Sequence, residues 1–154
     1  MKKNIAPFIA YKEYQCHCCS RLPPEFYYNG GGRVDSPPYI YRELFNGFKT
    51  IREKWGRPIN ISSGYRCIKK QKELYNQDAT SAMISVHNFG LALDLDCSDE
   101  EETKSMAKFI KRFCPDLRIG WQTYIYKGQS FIHIDTGYRI TPLYSKKLVV
   151  GAEW

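Results

Sequence analysis

The sequence predicts an α+β fold, in which a small antiparallel sheet is flanked by two or three helices. Apolar residues recur at helical spacing in segments 39–55 and 98–113. Strict alternation of apolar and polar residues marks segments 90–96 and 130–136 as strands. With 154 residues the chain has room for one domain with a buried core, so we expect a single domain over 1–154.

The first long helix is the clearest element of the N-terminal half. Between residues 39 and 55 one face carries Ile40, Leu44, Phe48, Ile51 and Trp55. These steps of three and four residues follow one side of a helix, and Gly56 with Pro58 ends it. Before this helix, the run of glycines at 30–32 predicts a loop. Residues 1–10 are interpreted as the start of the fold, because Lys12 and Glu13 cut short any signal-peptide core.

The second half alternates short elements. In chain order they are a strand at 59–61, a helix at 69–76, a strand at 90–96, a helix ending at Phe113, and strands at 117–121, 123–126 and 130–136. Ser98 and Glu101 predict a capping box at the start of the second long helix, which Cys114 and Pro115 end. A turn at 127–128 precedes the last strand.

Two of these strands place polar groups on one face of the predicted sheet. In segment 90–96 the leucines face the core, so Ala92 and Asp94 face the other way. In segment 130–136 the isoleucines face the core, so His133 and Asp135 take the opposite face. Aspartate is disfavoured in strands, so its presence there calls for a chemical reason.

His87, Asp94 and His133 form a plausible metal-ligand set. Two imidazoles and one carboxylate, with a fourth position left to water, are typical of catalytic zinc. The chain contains only three histidines, and this interpretation uses two of them. A single histidine in a strand is more often a hydrogen-bonded core or surface residue, but the three residues together favour a Zn²⁺ site.

Three ordered motifs resemble the zinc D-alanyl-D-alanine carboxypeptidase family, which includes bacterial murein endopeptidases and phage endolysins. The motifs are Ser63-Gly64-Tyr65-Arg66, then Ser85-x-His87-x-x-Gly90-x-Ala92-x-Asp94, then Phe131-Ile132-His133-Ile134-Asp135-Thr136-Gly137. The resemblance covers about residues 58–137, which we take as the motif core of a zinc peptidase domain.

The resemblance implies a role for each motif residue. His87, Asp94 and His133 would hold Zn²⁺, while Arg66 would reach the substrate and Ser85 would help to orient it. Many members carry an acid three residues before the last histidine as the general base. This chain has Ser130 there, so Asp135 is the alternative proton-shuttling carboxylate. The implied substrate is a peptidoglycan stem peptide or cross-link.

Two other functional classes stay open at this point. A catalytically inactive, zinc-containing cell-wall-binding module would explain Ser130. A basic nucleic-acid-binding protein, with structural zinc in the cysteine cluster, would explain the net charge of +7. The basic residues are scattered without a recognised binding motif, so no nucleic acid is expected.

The six cysteines also allow more than one interpretation. Cys16, Cys18 and Cys19 cluster, while Cys67, Cys97 and Cys114 are dispersed. Free thiols, one or two disulfides, and a second zinc site that includes Cys67 all fit this pattern.

The remaining expectations concern the protein's surroundings. No apolar run reaches the roughly 20 residues of a membrane span. Since no clear signal peptide is present, we expect the protein to be made in the cytoplasm and to act on the cell wall after delivery by another route. We also expect a monomer.

Overall fold

The computed structural model describes residues 4–28, 37–80, 82–143 and 148–154. The helices are α1 Tyr11–Tyr14, α2 Glu25–Tyr28, α3 Tyr39–Trp55, α4 Ile68–Asn76, α5 Glu100–Phe113 and α6 Gln122–Tyr126. The strands are β1 Asn4–Ala6, β2 Ile9–Ala10, β3 Ile61–Ser63, β4 Ala92–Asp96, β5 Arg118–Gly120 and β6 Phe131–Asp135. Two 3-10 segments, Val86–Phe89 and Gly137–Leu143, complete the list. The fold is α+β, as predicted.

A four-stranded antiparallel sheet is the centre of the fold. Its strand order is β3-β4-β6-β5, and a separate two-stranded sheet joins β1 to β2. In the pairing of β4 with β6, Asp94 lies opposite His133 and Ala92 lies opposite Asp135. Because directly opposed residues share a sheet face, this register brings Asp94 and His133 together.

The core lies on the other face of this sheet. The leucines at 91, 93 and 95 and the isoleucines at 132 and 134 are fully buried, as the alternation predicted. Helix α3 buries Leu44, Phe48 and Ile51 on the face that the periodicity predicted. Its bounds agree with the prediction, and Gly56 ends it in the left-handed conformation, with φ 75°.

Helix α5 begins one residue later than the predicted capping box. Asp99 rather than Ser98 is the N-cap, and its side chain accepts a hydrogen bond from the Glu102 N–H at 2.8 Å. The Glu102 carboxylate accepts in turn from the Ser98 N–H at 2.6 Å. Asp99 therefore caps the helix, but the predicted capping box does not form, because Glu102 bonds the residue before the N-cap.

The predicted strand at 123–126 is wrong, because this segment lies in helix α6. The Trp121 and Gln122 N–H groups both donate to the Trp154 carbonyl, which turns the chain away from the sheet after β5. The β-forming residues of this segment are instead used for packing: the Tyr124 ring stacks on Phe131 with centroids 4.1 Å apart. The predicted turn follows, with Gly128 at φ 69°.

Two further expectations concern the rest of the chain. The segment 30–32, predicted as a loop, lies outside the described residues. Among the residues that are described, no helix combines the length and the apolar composition needed to cross a bilayer.

Candidate metal centre

The structure brings His87, Asp94 and His133 together at the open face of the sheet. His87 Nε2 lies 3.2 Å from Asp94 Oδ1 and 3.2 Å from His133 Nδ1. Asp94 Oδ1 lies 3.0 Å from His133 Nδ1. The three atoms thus form a nearly equilateral triangle, and all three residues are buried.

This triangle has the dimensions of a zinc site. Nitrogen and oxygen ligands bind zinc at about 2.0–2.1 Å, so tetrahedral ligands lie roughly 3.3 Å from one another. Two neutral imidazoles and a carboxylate offset part of the charge of a divalent cation, and the pocket leaves room for water as a fourth ligand. The donor atoms and their spacing therefore fit Zn²⁺.

The position of His87 is fixed by a tight turn. The Ser85 hydroxyl accepts a hydrogen bond from the His87 N–H at 3.3 Å, and Gly90 leaves the turn at φ 71°. A Cβ at Gly90 would lie 2.5 Å from Tyr14 Oη, so both the backbone conformation and the close packing require glycine. The ring Nδ1–H donates to the Gly64 carbonyl at 2.6 Å, which leaves Nε2 as the metal-facing atom.

His133 presents its other ring nitrogen. Its Nε2–H donates to Asp135 Oδ2 at 2.8 Å, so Nδ1 faces the triangle. The other Asp135 oxygen accepts from Arg118 at 3.1 Å and from the Gly137 N–H at 2.7 Å. Three donors therefore hold the Asp135 carboxylate, which in turn sets the tautomer and the orientation of the His133 ring.

Arg66 holds the third ligand. Its guanidinium lies 3.3 Å from Asp94 Oδ2 and also donates to Ser63 Oγ and Gln71 Oε1, both at 3.0 Å. The second oxygen of Asp94 is thus occupied by a cation, which leaves Oδ1 to face the imidazoles. Arg66 also lines the pocket, where it can meet a substrate.

Burial and the neighbouring charges shift the pKa values of all three residues. Burial lowers the pKa of His87. Burial also disfavours charge on His133, but its hydrogen bonds to Asp135 and Asp94 outweigh this and raise its pKa to about 9. The two imidazoles likewise outweigh burial at Asp94 and hold its pKa well below the usual range.

We expect zinc affinity at this site to fall as the pH falls below about 9, because a proton then occupies His133 Nδ1. The loss is about tenfold for each pH unit, since one proton competes with the metal. His87, whose pKa is lowered, adds a second proton only at more acidic pH. Competition with a chromogenic chelator at about pH 6, 7 and 8 measures the slope, with Asp94→Ala as background. A zinc affinity that does not change with pH would contradict the competition between zinc and a proton on His133.

An open pocket lies over the triangle. It is lined by Arg66, Ala79, Thr80, Ser85, His87, Asp94, Thr123, Tyr124, Lys127, Gln129, Phe131, His133 and Trp154. Five of the residues predicted from the sequence lie here: Arg66, Ser85 and the three metal-ligand candidates. Ser85 lines the pocket, and its hydroxyl caps the His87 turn.

Asp135 lies beside the metal centre but does not line the pocket. It is fully buried behind His133, bound to Arg118 and Gly137, and it is not among the pocket-lining residues. In this place the carboxylate contacts the His133 ring and not the pocket. We therefore expect Asp135 to orient His133, while its role in moving a substrate proton stays a prediction.

Sequence reasoning missed three residues that shape the site: Arg118, Tyr124 and Trp154. Arg118 bonds Asp135, and its guanidinium lies 4.7 Å from the centre of the Trp154 ring. The Trp154 ring in turn lies 5.6 Å from the His133 ring, measured between centroids. No motif marks these residues, and only the folding of segment 148–154 against β5 brings Trp154 to the site.

Comparison with known proteins identifies a matching family model and one similar structure. A model described as Peptidase M15 matches residues 26–135. The crystal structure of the Serratia marcescens L-Ala D-Glu endopeptidase ChiX superposes with a TM-score of 0.53, at 16% identity, over 66% of this chain and 83% of that chain. No curated protein gives a significant match. The span matched by the family model contains all the predicted site residues: Arg66, Ser85, His87, Asp94, His133 and Asp135.

Proposed function

The chain belongs to the Peptidase M15 family and is a metallopeptidase, and we propose that it uses zinc to hydrolyse stem peptides or cross-links of peptidoglycan. The observation that carries this proposal is the triangle of His87, Asp94 and His133 at the base of an open pocket. The fold shared with an enzyme named for cleavage between L-Ala and D-Glu supports the choice of substrate.

The chain's own residues prepare the site for this chemistry. When bound, zinc would lower the pKa of its water towards about 7 and polarise the scissile carbonyl. Arg66 faces the pocket beside Asp94, so its remaining N–H groups can bind the carbonyl oxygen or a substrate carboxylate. Lys127 adds a second cation to the pocket lining, which favours the acidic residues of a stem peptide.

The described pocket lining offers a phenol, and no unbound carboxylate, to the reacting groups of a substrate. Among the described residues that line the pocket, Asp94 is the only acid, and it is a ligand candidate. Tyr124 offers a different group: burial, with smaller contributions from Asp94 and Asp135, raises its pKa to about 12. Its phenol therefore keeps its proton at neutral pH and can donate a hydrogen bond to a developing oxyanion.

The proposal is tested on purified peptidoglycan and on defined muropeptides. We expect hydrolysis that a chelator abolishes and added zinc restores, with new amino termini identified by mass spectrometry. Release of a terminal D-Ala would identify a carboxypeptidase, whereas cleavage inside a stem or cross-link would identify an endopeptidase. Dissolution of whole cell walls would support an endolysin role. Binding to walls without any cleavage would contradict the proposal and favour the binding module that Ser130 suggested.

Arg66→Lys is expected to preserve folding and zinc content but to slow muropeptide hydrolysis by at least about tenfold, or roughly 1.4 kcal/mol of transition-state stabilisation. The reason is geometric: the guanidinium contacts Asp94, Ser63 and Gln71 and also lines the pocket. The ammonium group of lysine cannot make the same set of hydrogen bonds. Steady-state kinetics measure the effect. Arg112→Lys, an exposed substitution on α5, is the matched control. Near-normal kinetics of Arg66→Lys would argue against a substrate-binding role.

A further inference from the structure

Four cysteines from two distant parts of the chain meet next to Arg66, since one of them is Cys67. Cys16, Cys18 and Cys19 lie in the segment that follows α1, and Cys67 is the N-cap of α4. Their sulfur atoms all lie within 4.8 Å of one another. The proposed peptidase site uses none of them.

The sulfur spacing fits metal coordination better than a disulfide. Cys18 Sγ lies 3.6 Å from Cys16 Sγ and 3.2 Å from Cys67 Sγ. A disulfide requires about 2.05 Å between sulfur atoms. Zinc–sulfur bonds of about 2.3 Å place tetrahedral ligands roughly 3.8 Å apart, close to the distances found here.

Backbone amides point at the sulfur atoms. The Cys67 N–H donates to Cys16 Sγ at 3.3 Å, and the Lys70 N–H donates to Cys67 Sγ at 3.4 Å. The second of these bonds lies in the first turn of α4, where the helix dipole also favours negative charge. Both bonds stabilise thiolate, which is the form of cysteine that binds metals.

The thiols of the cluster differ in their pKa values. Burial alone would raise the pKa of Cys16, but the amides of Cys67 and Cys18 outweigh it and lower the pKa to about 7. The hydrogen bond with Cys67 raises the pKa of Cys18 to about 12. Thiolate sulfur is the ligand that soft divalent cations such as zinc select, so the close sulfur atoms remain the main evidence for a metal.

We propose that Cys16, Cys18, Cys19 and Cys67 bind a second zinc ion with a structural role. Four sulfur ligands fill the tetrahedral shell and leave no position for substrate or water, so this zinc would not take part in hydrolysis. It would tie the segment after α1 to the start of α4. Because Cys67 follows Arg66 directly, it would also hold the backbone that presents Arg66 to the peptidase site.

Zinc counting in variants of the full chain tests the proposal independently of hydrolysis. Protein purified with a phosphine reductant is expected to hold about two zinc ions per chain, and Asp94→Ala about one. Cys18→Ser and Cys19→Ser, both at exposed positions, are also expected to lose about one zinc. Cys97→Ser and Cys114→Ser are the matched controls and should lose none. X-ray absorption of zinc in Asp94→Ala should show four sulfur neighbours at about 2.3 Å.

Thiol labelling of the unmodified protein gives a second measurement that does not depend on any variant folding. Cys18 and Cys19 are exposed, so an alkylating reagent can reach both of them in the folded chain. With zinc bound they should resist alkylation until a chelator is added. Rapid labelling of Cys18 and Cys19 without chelator, a Cys18–Cys67 disulfide in the non-reduced peptide map, or zinc-free Asp94→Ala protein would each overturn the proposal.

Discussion

Asp94→Ala is expected to remove zinc from the peptidase site and to reduce muropeptide hydrolysis by at least about 10³-fold, or roughly 4 kcal/mol. Asp94 is the only anion of the triangle, and its Oδ1 lies within 3.2 Å of both imidazole nitrogens. Its other oxygen holds Arg66. The substitution would therefore leave two neutral ligands and a mostly buried guanidinium without its carboxylate partner.

Asp96→Ala is the matched control for this change. Asp96 lies on the same strand and the same face, but it is exposed and its carboxylate accepts from Asn60. Zinc content by mass spectrometry and hydrolysis rates should be nearly normal in this control. Both variants are best compared in a Cys18→Ser background, so that the proposed second zinc does not obscure the count. Full zinc content and activity in Asp94→Ala would show that Asp94 is not a zinc ligand and would contradict the proposed metal centre.

Much of the sheet and its chemistry could be predicted because one face of each central strand is apolar. The alternation of leucines around Asp94 and of isoleucines around His133 determined which residues face the core. The antiparallel register then placed Asp94 opposite His133. Helix α3 could be predicted to its ends, because its apolar face is regular and Gly56 stops it.

The elements that could not be predicted depend on contacts between distant segments. Helix α6 forms from strand-favouring residues because the carbonyl of Trp154 accepts from the two N–H groups that start it. The strand propensity of these residues contains no information on that contact, and the hydrogen bonds to Trp154 outweigh the propensity. The gathering of Cys67 with the N-terminal cysteines is likewise a property of the fold, although the sequence already allowed it as one of three alternatives.

The role of Asp135 shows a subtler limit of sequence reasoning. Strand alternation placed Asp135 and His133 on one face, and both are found there. Sharing a face does not say whether a carboxylate lies beside the substrate or behind a ligand. That distinction comes from contacts made across the fold: Asp135 bonds Arg118, is fully buried and does not line the pocket.

Asp135→Asn is expected to weaken zinc binding by about 10- to 100-fold. All three groups around this carboxylate are donors: the His133 Nε2–H, the Arg118 guanidinium and the Gly137 N–H. An asparagine must turn its NH₂ towards one of them. If it faces His133, the ring is driven to the tautomer with its proton on Nδ1, the atom that must bind zinc. If it faces Arg118 and Gly137, it leaves buried donors without acceptors.

Titration with zinc separates this orienting role from a proton-shuttling one. An orienting Asp135 predicts a weaker zinc affinity in Asp135→Asn and turnover that is largely restored once zinc is in excess. A shuttle predicts unchanged zinc affinity and a turnover loss of about 10²-fold or more that excess zinc does not repair. Asp96→Asn, an exposed substitution on the neighbouring strand, should change neither quantity. Since Asp135 is fully buried and does not line the pocket, we expect the first pattern. The second pattern would show that Asp135 transfers the substrate proton. It would also require a different arrangement of His133 in the working enzyme.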